Sequence, residues 1–178
     1  MVVRKRLAIT GRALAFLTTT AYQWTPIFGE GIVAKVVVNK LREATEHFRV
    51  SVVGYVLMPS HLHMLLGFPK IAGLSRFMQS FKILSSKAVK IDVPQDHLAP
   101  FMTTSGFRLW KPRFDDLIVT SDRQFRIKLE YIHNNPVRAG LVTRAEEWRF
   151  SSASDWLLGK TGPLPVDKRC EWLIRGGR

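Results

Sequence analysis

The sequence predicts a single α+β domain in which a central antiparallel β-sheet is flanked by α-helices. Segments rich in β-branched and apolar residues alternate irregularly with amphipathic segments, in the order β-α-ββ-α-β-α, which favours such a sheet. Two of the β-rich segments are separated only by the dipeptide Pro59-Ser60, which is typical of an antiparallel hairpin. With 178 residues and 46% hydrophobic content, the chain can bury one sizeable core without disulfides or structural metals.

The first half of the chain predicts a strand, a helix and a hairpin. Residues 7–21 are rich in apolar and β-branched types and predict a strand. Residues 29–47 place apolar side chains close to the 3.6-residue period, which predicts a helix despite three consecutive valines. The two strands of the hairpin are predicted at residues 48–58 and 61–68.

The second half predicts two long helices with a loop and a strand between them. Residues 73–91 predict a helix, residues 92–106 a loop with two prolines, and residues 107–120 a strand or strand pair. Residues 121–136 begin with a Ser-Asp N-cap signal and end at a proline, which predicts the second long helix. The predicted apolar face of the first of these helices consists of Leu74, Phe77, Met78, Phe81, Leu84 and Val89.

We predict one domain over residues 1–158, which ends with a short capped helix. Residues 159–178 form a basic C-terminal tail that is predicted to pack on that domain or to extend from it. The single Cys170 excludes an internal disulfide and a thiolate metal site. No stretch predicts a signal peptide or a membrane span, so the expected location is the bacterial cytoplasm or nucleoid, with no membrane partner.

The charge balance indicates a polyanionic partner. Lysine and arginine number 27 against 14 acidic residues, for a net charge of +13 at pH 7. A field of this sign and size attracts nucleic acid, although a basic surface that is merely solvated remains an alternative.

Two histidines interrupt an otherwise apolar strand. Side chains alternate across a strand, so His61 and His63 project from one face and Leu62 from the other. Their Cβ atoms are then about 6.5–7 Å apart, which lets two imidazoles converge on one ion. The alternative is a pair of rim histidines bonded to the backbone. Since cysteine is not available, a third metal ligand must be an oxygen or another histidine.

A second candidate constellation lies near the end of the last long helix. Tyr131 and Asn135 are four residues apart and share a helix face, whereas His133 points nearly the opposite way and is excluded from their site. Asn135 precedes Pro136, and we expect the proline to end the helix there. Asn135 would then lie at the frayed helix end, with its amide oxygen free to bind a cation. An oxygen with two imidazoles suits Mg²⁺ or Mn²⁺. Alternatively, Tyr131 caps the core and Asn135 merely ends the helix.

Together the two constellations suggest transesterification of a phosphodiester. A divalent ion held by His61, His63 and Asn135 would polarise the scissile phosphate, and Tyr131 would attack it to form a covalent phosphotyrosine. Such a bond conserves the energy of the broken phosphodiester, so that a second hydroxyl can rejoin strands.

The segments "GYVLMPSHLHMLL" and "LEYIHNNPVRAGLV" resemble the single-tyrosine HUH transposases, in particular the REP-associated tyrosine transposases (RAYT proteins). The resemblance extends to "TTTAYQWTPIFGE", "LWKPRFDDLIV" and "WRFSSASDW". It implies a ferredoxin-like or RRM-like domain with His61 and His63 as metal ligands on a central strand. It also implies Tyr131 as the nucleophile that becomes linked to a 5′ phosphate, and Asn135 as the residue that completes the metal site.

The resemblance implies single-stranded DNA near a palindromic hairpin as substrate, and a monomer or homodimer as the acting species. Ser60 departs from the family, where asparagine is expected, and the tail after residue 158 has no counterpart. Trp110 and Phe114 are expected to stack on unpaired bases. The predicted phosphate partners are Lys82, Arg108, Lys111, Arg113 and Arg138.

Two other functions remain open from the sequence. One is a non-catalytic protein that binds hairpin DNA or RNA with the transposase fold, and the other is an RNA-binding module of the ribosomal type. The latter accounts for the charge but gives no reason for the histidine pair.

Overall fold

The structure, a computed structural model, describes residues 10–29, 31–104, 106–169 and 171. Residues 7–9 of the first predicted strand and the end of the tail lie outside the described residues, as does Cys170. The strands are β1 Ala13–Thr20, β2 Ser51–Met58, β3 His61–Phe68, β4 Met102–Thr103, β5 Gly106–Phe107 and β6 Asp115–Val119. The helices are α1 Ile32–Phe48, α2 Leu74–Asp92, α3 Gln95–Leu98, α4 Asp122–Arg138 and α5 Ala153–Leu158.

Four strands form one antiparallel sheet in the order β2-β3-β1-β6. The predicted hairpin is confirmed, since Met58 pairs with His61 across the Pro59-Ser60 turn. β3 and β1 are the two central strands, and Thr18 of β1 lies opposite His63 of β3. The α+β class and the antiparallel sheet are therefore as the sequence predicts.

The two faces of the sheet have different roles. On one face, Leu17 and Leu62 are fully buried in a core with Leu41 of α1 and Phe77 of α2. On the other face, Val56 and Leu65 form a smaller core with Phe125 and Ile132 of α4. Since β3 alternates between the faces, Leu62 enters the large core while its two histidine neighbours lie on the side of α4.

Gly54 lets α4 lie close against β2. A β-bulge interrupts the β2–β3 register between Val52 and Gly54. A Cβ atom added at Gly54 would lie 2.8 Å from Cδ1 of Leu129 and 3.5 Å from Oγ of Ser152. The absence of a side chain at this position therefore sets the distance between the sheet and the helix that carries Tyr131.

We expect Gly54→Ala to destabilise the fold by about 1–3 kcal/mol, because Leu129 must change its conformation to accept the methyl group. Urea unfolding measures the loss. Leu129→Ala removes the clashing atom, so the double variant should lose less than the two single variants added together. Strictly additive losses would contradict the close approach as the cause.

The end of α4 differs from the prediction. The helix does not stop before Pro136 but continues to Arg138, with the proline in its last turn. The N–H of Gly140 donates to the carbonyl of Val137, and that of Leu141 donates to the carbonyl of Pro136. Gly140 has a φ of 69°, so the helix ends in a Schellman motif two residues beyond the expected position. Asn135 consequently lies within the helix and not at a frayed end.

Three smaller expectations also change. The predicted loop 92–106 contains the short helix α3 and strand β4, and the predicted strand 107–120 is regular only from Asp115. Leu84 is exposed, and its place on the buried face of α2 is taken by Ser85 and Ala88.

The tail packs on the domain where the structure describes it. Leu164 is fully buried in the large core, and the N–H of Asp167 donates to the carbonyl of Val52 on β2. Asp155 on α5 accepts from the N–H of Gly162. Residues just beyond 158 are thus part of the packed structure.

Candidate active site

The structure brings the histidine pair and Tyr131 together within one chain. Tyr131 on α4 places its hydroxyl 3.5 Å from Nε2 of His63 on β3. The ring centroids of His61 and His63 are 4.7 Å apart, and those of His63 and Tyr131 are 5.1 Å apart. Three side chains predicted from two distant segments therefore form one cluster on the α4 side of the sheet.

Neighbouring hydroxyl groups orient the two imidazoles. Nδ1 of His63 lies 2.8 Å from Oγ1 of Thr18, and Nδ1 of His61 lies 3.2 Å from Oγ of Ser60. When Nδ1–H donates to the hydroxyl, the lone pair remains on Nε2. Ser60, which departs from the family pattern, thus supports His61 at this site.

Burial favours the neutral form of both histidines. Burial, with smaller contributions from His61 and Lys128, lowers the pKa of His63 to about 3. Burial also lowers the pKa of His61. A neutral imidazole has the free lone pair that a metal ion requires, so this donor pair suits a cation.

Asn135 lies one helical turn after Tyr131 and is half-buried. Among the residues that the structure describes, no three His, Cys, Asp or Glu side chains are grouped to share a metal ion. The two histidines are therefore an incomplete ligand set, and Asn135 is the oxygen-bearing residue that shares a helix face with Tyr131. An amide oxygen beside two neutral imidazoles suits Mg²⁺ or Mn²⁺, so the residues present fit the predicted metal.

Several residues of the cluster were not predicted from the sequence. Phe16 stacks on His63 with ring centroids 5.6 Å apart, and Nζ of Lys128 lies 4.6 Å from the Phe16 ring and 5.9 Å from the Tyr131 ring. Trp24 meets His61 edge-on at 6.0 Å. Lys128 precedes Tyr131 by three residues, so helical spacing alone could have placed it at the site. Trp24 has no such signal, because an irregular segment positions it.

His133 lies outside the site, as predicted. Its Nε2 is 2.9 Å from Oγ of Ser152 in the buried contact of α4 with the sheet and α5. Burial lowers the pKa of His133 to about 4. This histidine is structural, and its neutral form is the one that the fold accommodates.

We expect the buried histidines to make the protein sensitive to acid. Below the ordinary histidine pKa of 6.5, His133 binds a proton in the unfolded chain, whereas in the folded chain it stays neutral until about pH 4. The free energy of unfolding therefore decreases as the pH falls through this range. The shift corresponds to about 3 kcal/mol for His133. In urea unfolding at pH 7 and pH 4.5, His133→Gln should show a smaller loss on acidification than the wild-type protein. An equal loss in both proteins would assign the acid sensitivity to other groups.

The predicted phosphate partner Lys82 is engaged within the protein. Its ammonium group donates to the carbonyl of Lys111 and, at 3.1 and 3.3 Å, to those of Pro112 and Arg113. Burial lowers the pKa of Lys82 to about 8. Lys82 thus fixes the loop before β6 on α2, and its contact with phosphate stays a prediction.

The remaining predicted DNA contacts have different surroundings. Cζ of Arg108 lies 5.3 Å from the ring centroid of Tyr22, while Arg113 and Arg138 are exposed. The expectation that Trp110 stacks on DNA is wrong, because this residue is buried and its indole N–H donates to Oγ of Ser85. Phe114 is partly buried against the same core. Trp24, beside His61, is an exposed aromatic side chain that the sequence did not indicate.

Comparison with known proteins identifies the class to which this fold and site belong. The family model described as transposase IS200 like matches residues 15–135, which include both histidines, Tyr131 and Asn135. The match covers more than half of the chain, and the chain belongs to this transposase family.

Its relatives lie in the branch that the sequence indicates. A protein of Haemophilus influenzae assigned to the REP-associated tyrosine transposases is 24% identical over 122 residues, which cover 65% of this chain and 68% of that protein. The REP-associated tyrosine transposase of Escherichia coli K12 is 24% identical over 55% of this chain and about half (51%) of its own length.

Solved structures show the same fold. A REP-associated tyrosine transposase bound to a REP hairpin superposes with a TM-score of 0.70, at 19% identity over 94% of this chain and 93% of that one. A protein of Deinococcus radiodurans R1 assigned as a transposase gives a TM-score of 0.52, at 20% identity over 75% of this chain and 97% of that one. No helix in the described part of the chain has the length and apolar character needed to cross a membrane.

Proposed function

We propose that this chain is a metal-dependent endonuclease and strand transferase for single-stranded DNA, acting beside palindromic hairpins through a covalent 5′-phosphotyrosine intermediate. The observation that carries the proposal is the 3.5 Å separation between the Tyr131 hydroxyl and Nε2 of His63. A nucleophile and a metal-binding pair, far apart in sequence, meet at this point. Membership of the transposase family supports strand cleavage as the chemistry.

The metal-binding role belongs to three side chains. His61 and His63 are neutral and would bind Mg²⁺ or Mn²⁺ through Nε2, with the amide oxygen of Asn135 as the third protein ligand. When bound, such an ion supplies Lewis-acid stabilisation of charge on the phosphate oxygens. The contacts of Nδ1 with Thr18 and Ser60 leave Nε2 as the ring nitrogen for the ion, and in His63 this is the atom that the Tyr131 hydroxyl approaches.

Tyr131 would act as the nucleophile. Its oxygen forms a bond to phosphorus while the bond from phosphorus to the 3′ oxygen of the preceding nucleotide breaks, so that the proton lost by tyrosine is balanced by one gained at the released 3′ hydroxyl. The downstream strand stays attached to Tyr131 by its 5′ phosphate. Attack by another 3′ hydroxyl reverses the step and joins strands without a nucleotide cofactor.

Positive charge would hold the DNA at this site. The chain has a net charge of +13, and Lys128 lies within one helical turn of Tyr131 on the same face. Lys128 is suited to bind the non-bridging oxygens of the phosphate under attack. The solved structure of a related transposase is described as bound to a REP hairpin, which supports hairpin DNA as the substrate class.

A labelled hairpin oligonucleotide tests the proposal. The substrate is a palindromic repeat from the chain's own genome, with single-stranded flanks, incubated with Mg²⁺ or Mn²⁺ and resolved under denaturing conditions. A 3′ label should migrate with the protein and a 5′ label should appear in a shorter free fragment, because the downstream strand is the one that becomes linked. EDTA should prevent both products.

The competing function is a non-catalytic hairpin-binding protein. Tight binding of the hairpin with no adduct on any repeat, in either metal, would favour that function and overturn the proposed chemistry. An adduct that carries the 5′ label would instead show that the tyrosine attacks but that the upstream strand, and not the downstream strand, becomes linked to the protein.

A further inference from the structure

A strained backbone segment holds Trp24 beside the histidine pair. Gln23 and Trp24 have φ values of 54° and 61°, in the left-handed region that bulky residues rarely adopt. The segment is fixed by hydrogen bonds from Ala21 N to the carbonyl of Ser60 and from Tyr22 N to the carbonyl of Leu109. Strain of this kind persists only where surrounding structure enforces it, and it is concentrated at functional sites.

The strained backbone leaves the Trp24 indole exposed to solvent and does not bury it in the core. Trp24 is 57% exposed, although tryptophan is the side chain that gains most from burial. Nζ of Lys111 lies 4.5 Å from its ring centroid. Exposed aromatic rings beside cationic side chains are the surfaces on which proteins stack unpaired bases of single strands.

Trp24 borders a cavity of about 560 Å³ that adjoins the candidate active site. Thr18, which bonds Nδ1 of His63, also lines this cavity. The polar and charged lining is completed by Thr20, Lys111, Arg113 and Asp115. The cavity is large enough for one nucleobase, and through Thr18 it adjoins His63.

We propose that this cavity binds one unpaired nucleobase of the DNA strand that is cleaved, stacked on Trp24, with Lys111 and Arg113 on its phosphates. The identity of the strand rests on the proposed function. The stacking itself requires only that the protein binds single-stranded DNA.

Asp115 gives the cavity a preference among bases. It lies directly opposite Thr18 in the β1–β6 register, and paired residues of an antiparallel sheet project from the same face. A carboxylate repels phosphate but accepts a hydrogen bond from the exocyclic amine that cytosine, adenine and guanine carry. Thymine offers only its ring N3–H, which lies between two carbonyl oxygens that the carboxylate repels. The cavity therefore selects an amine-bearing base over thymine.

An abasic scan tests the stacking in a binding assay that does not depend on cleavage. Each nucleotide flanking the hairpin is replaced in turn by an abasic site, and affinity is measured in EDTA for the wild-type protein and for Trp24→Leu. One position should weaken wild-type binding by roughly tenfold or more and have little effect on the variant. Independent losses at every position would overturn the proposal, while adduct formation would still report on the proposed function separately.

Two further variants distinguish recognition from a structural role. Trp24→Gly relieves the left-handed strain, so its melting temperature should equal or exceed that of the wild-type protein while binding falls as in Trp24→Leu. A lower melting temperature would make Trp24 a structural residue.

The base preference is tested with Asp115→Ala. At the position found in the scan, cytosine should bind several-fold better than thymine to the wild-type protein, whereas the two bases should bind equally well to Asp115→Ala. The same preference in both proteins would remove Asp115 from the proposal.

Discussion

Tyr131→Phe should abolish the covalent adduct while leaving hairpin binding intact. The substitution removes one oxygen atom from a side chain that is 36% exposed and keeps the ring that contacts Phe16 and His63. In the proposed function this hydroxyl forms the bond to DNA, so adduct formation should fall by at least about a thousandfold. Denaturing electrophoresis with a 3′-labelled hairpin measures the adduct, and a gel-shift assay measures binding.

Tyr22 provides the matched control for this variant. It is a half-buried tyrosine whose ring lies beneath Arg108 and outside the Tyr131–His63 cluster. Tyr22→Phe removes the same atom, so it should form the adduct at close to the wild-type level. An adduct formed by Tyr131→Phe would show that another side chain is the nucleophile.

His63→Ala should have a comparably large effect through the metal. Removing outer partners of a metal ligand already costs roughly 10–100-fold in affinity or activity, so loss of a ligand itself should lower adduct formation by at least about a hundredfold. Calorimetric titration with Mn²⁺ should show weakened binding, since the neutral Nε2 of His63 is removed. Retention of both Mn²⁺ binding and adduct formation would exclude His63 as a ligand.

Stability has to be separated from chemistry for this variant, because His63 is 5% exposed and its loss leaves a cavity. His63→Gln fills most of that volume and can still bond Thr18, so it should regain stability without regaining the wild-type activity. His47→Ala on the exposed face of α1 removes a histidine away from the site, and we expect it to behave as the wild-type protein.

The sequence predicted those features that follow from the spacing of residues within one short segment. Alternation in β3 placed His61 and His63 on one face because a strand inside a paired sheet has a fixed period of two. Helical spacing placed Tyr131 and Asn135 together and excluded His133, for the same kind of reason. The hairpin followed from a short turn between two β-rich segments. None of these inferences required knowledge of distant contacts.

Features that depend on tertiary packing were not predictable in this way. Pro136 signals a helix end, yet a Schellman motif at Gly140 supplies the backbone bonds that carry α4 two residues further. Trp110 lies in a basic, aromatic segment that suggests DNA contact, but packing against Phe28 and Phe81 buries it. Trp24 gains its position from a strained segment fixed by two other loops, so no periodicity reveals it.

The contact between Tyr131 and His63 within one polypeptide has a consequence for mixtures of inactive proteins. In the proposed function one chain supplies both the nucleophile and the metal-binding pair, and a centre of that kind cannot be rebuilt by combining subunits that each lack a different part. Tyr131→Phe and His63→Ala, mixed in any ratio, should therefore fail to complement each other. The activity per molecule of the wild-type protein should also stay constant when the protein is diluted, as long as the DNA remains saturating.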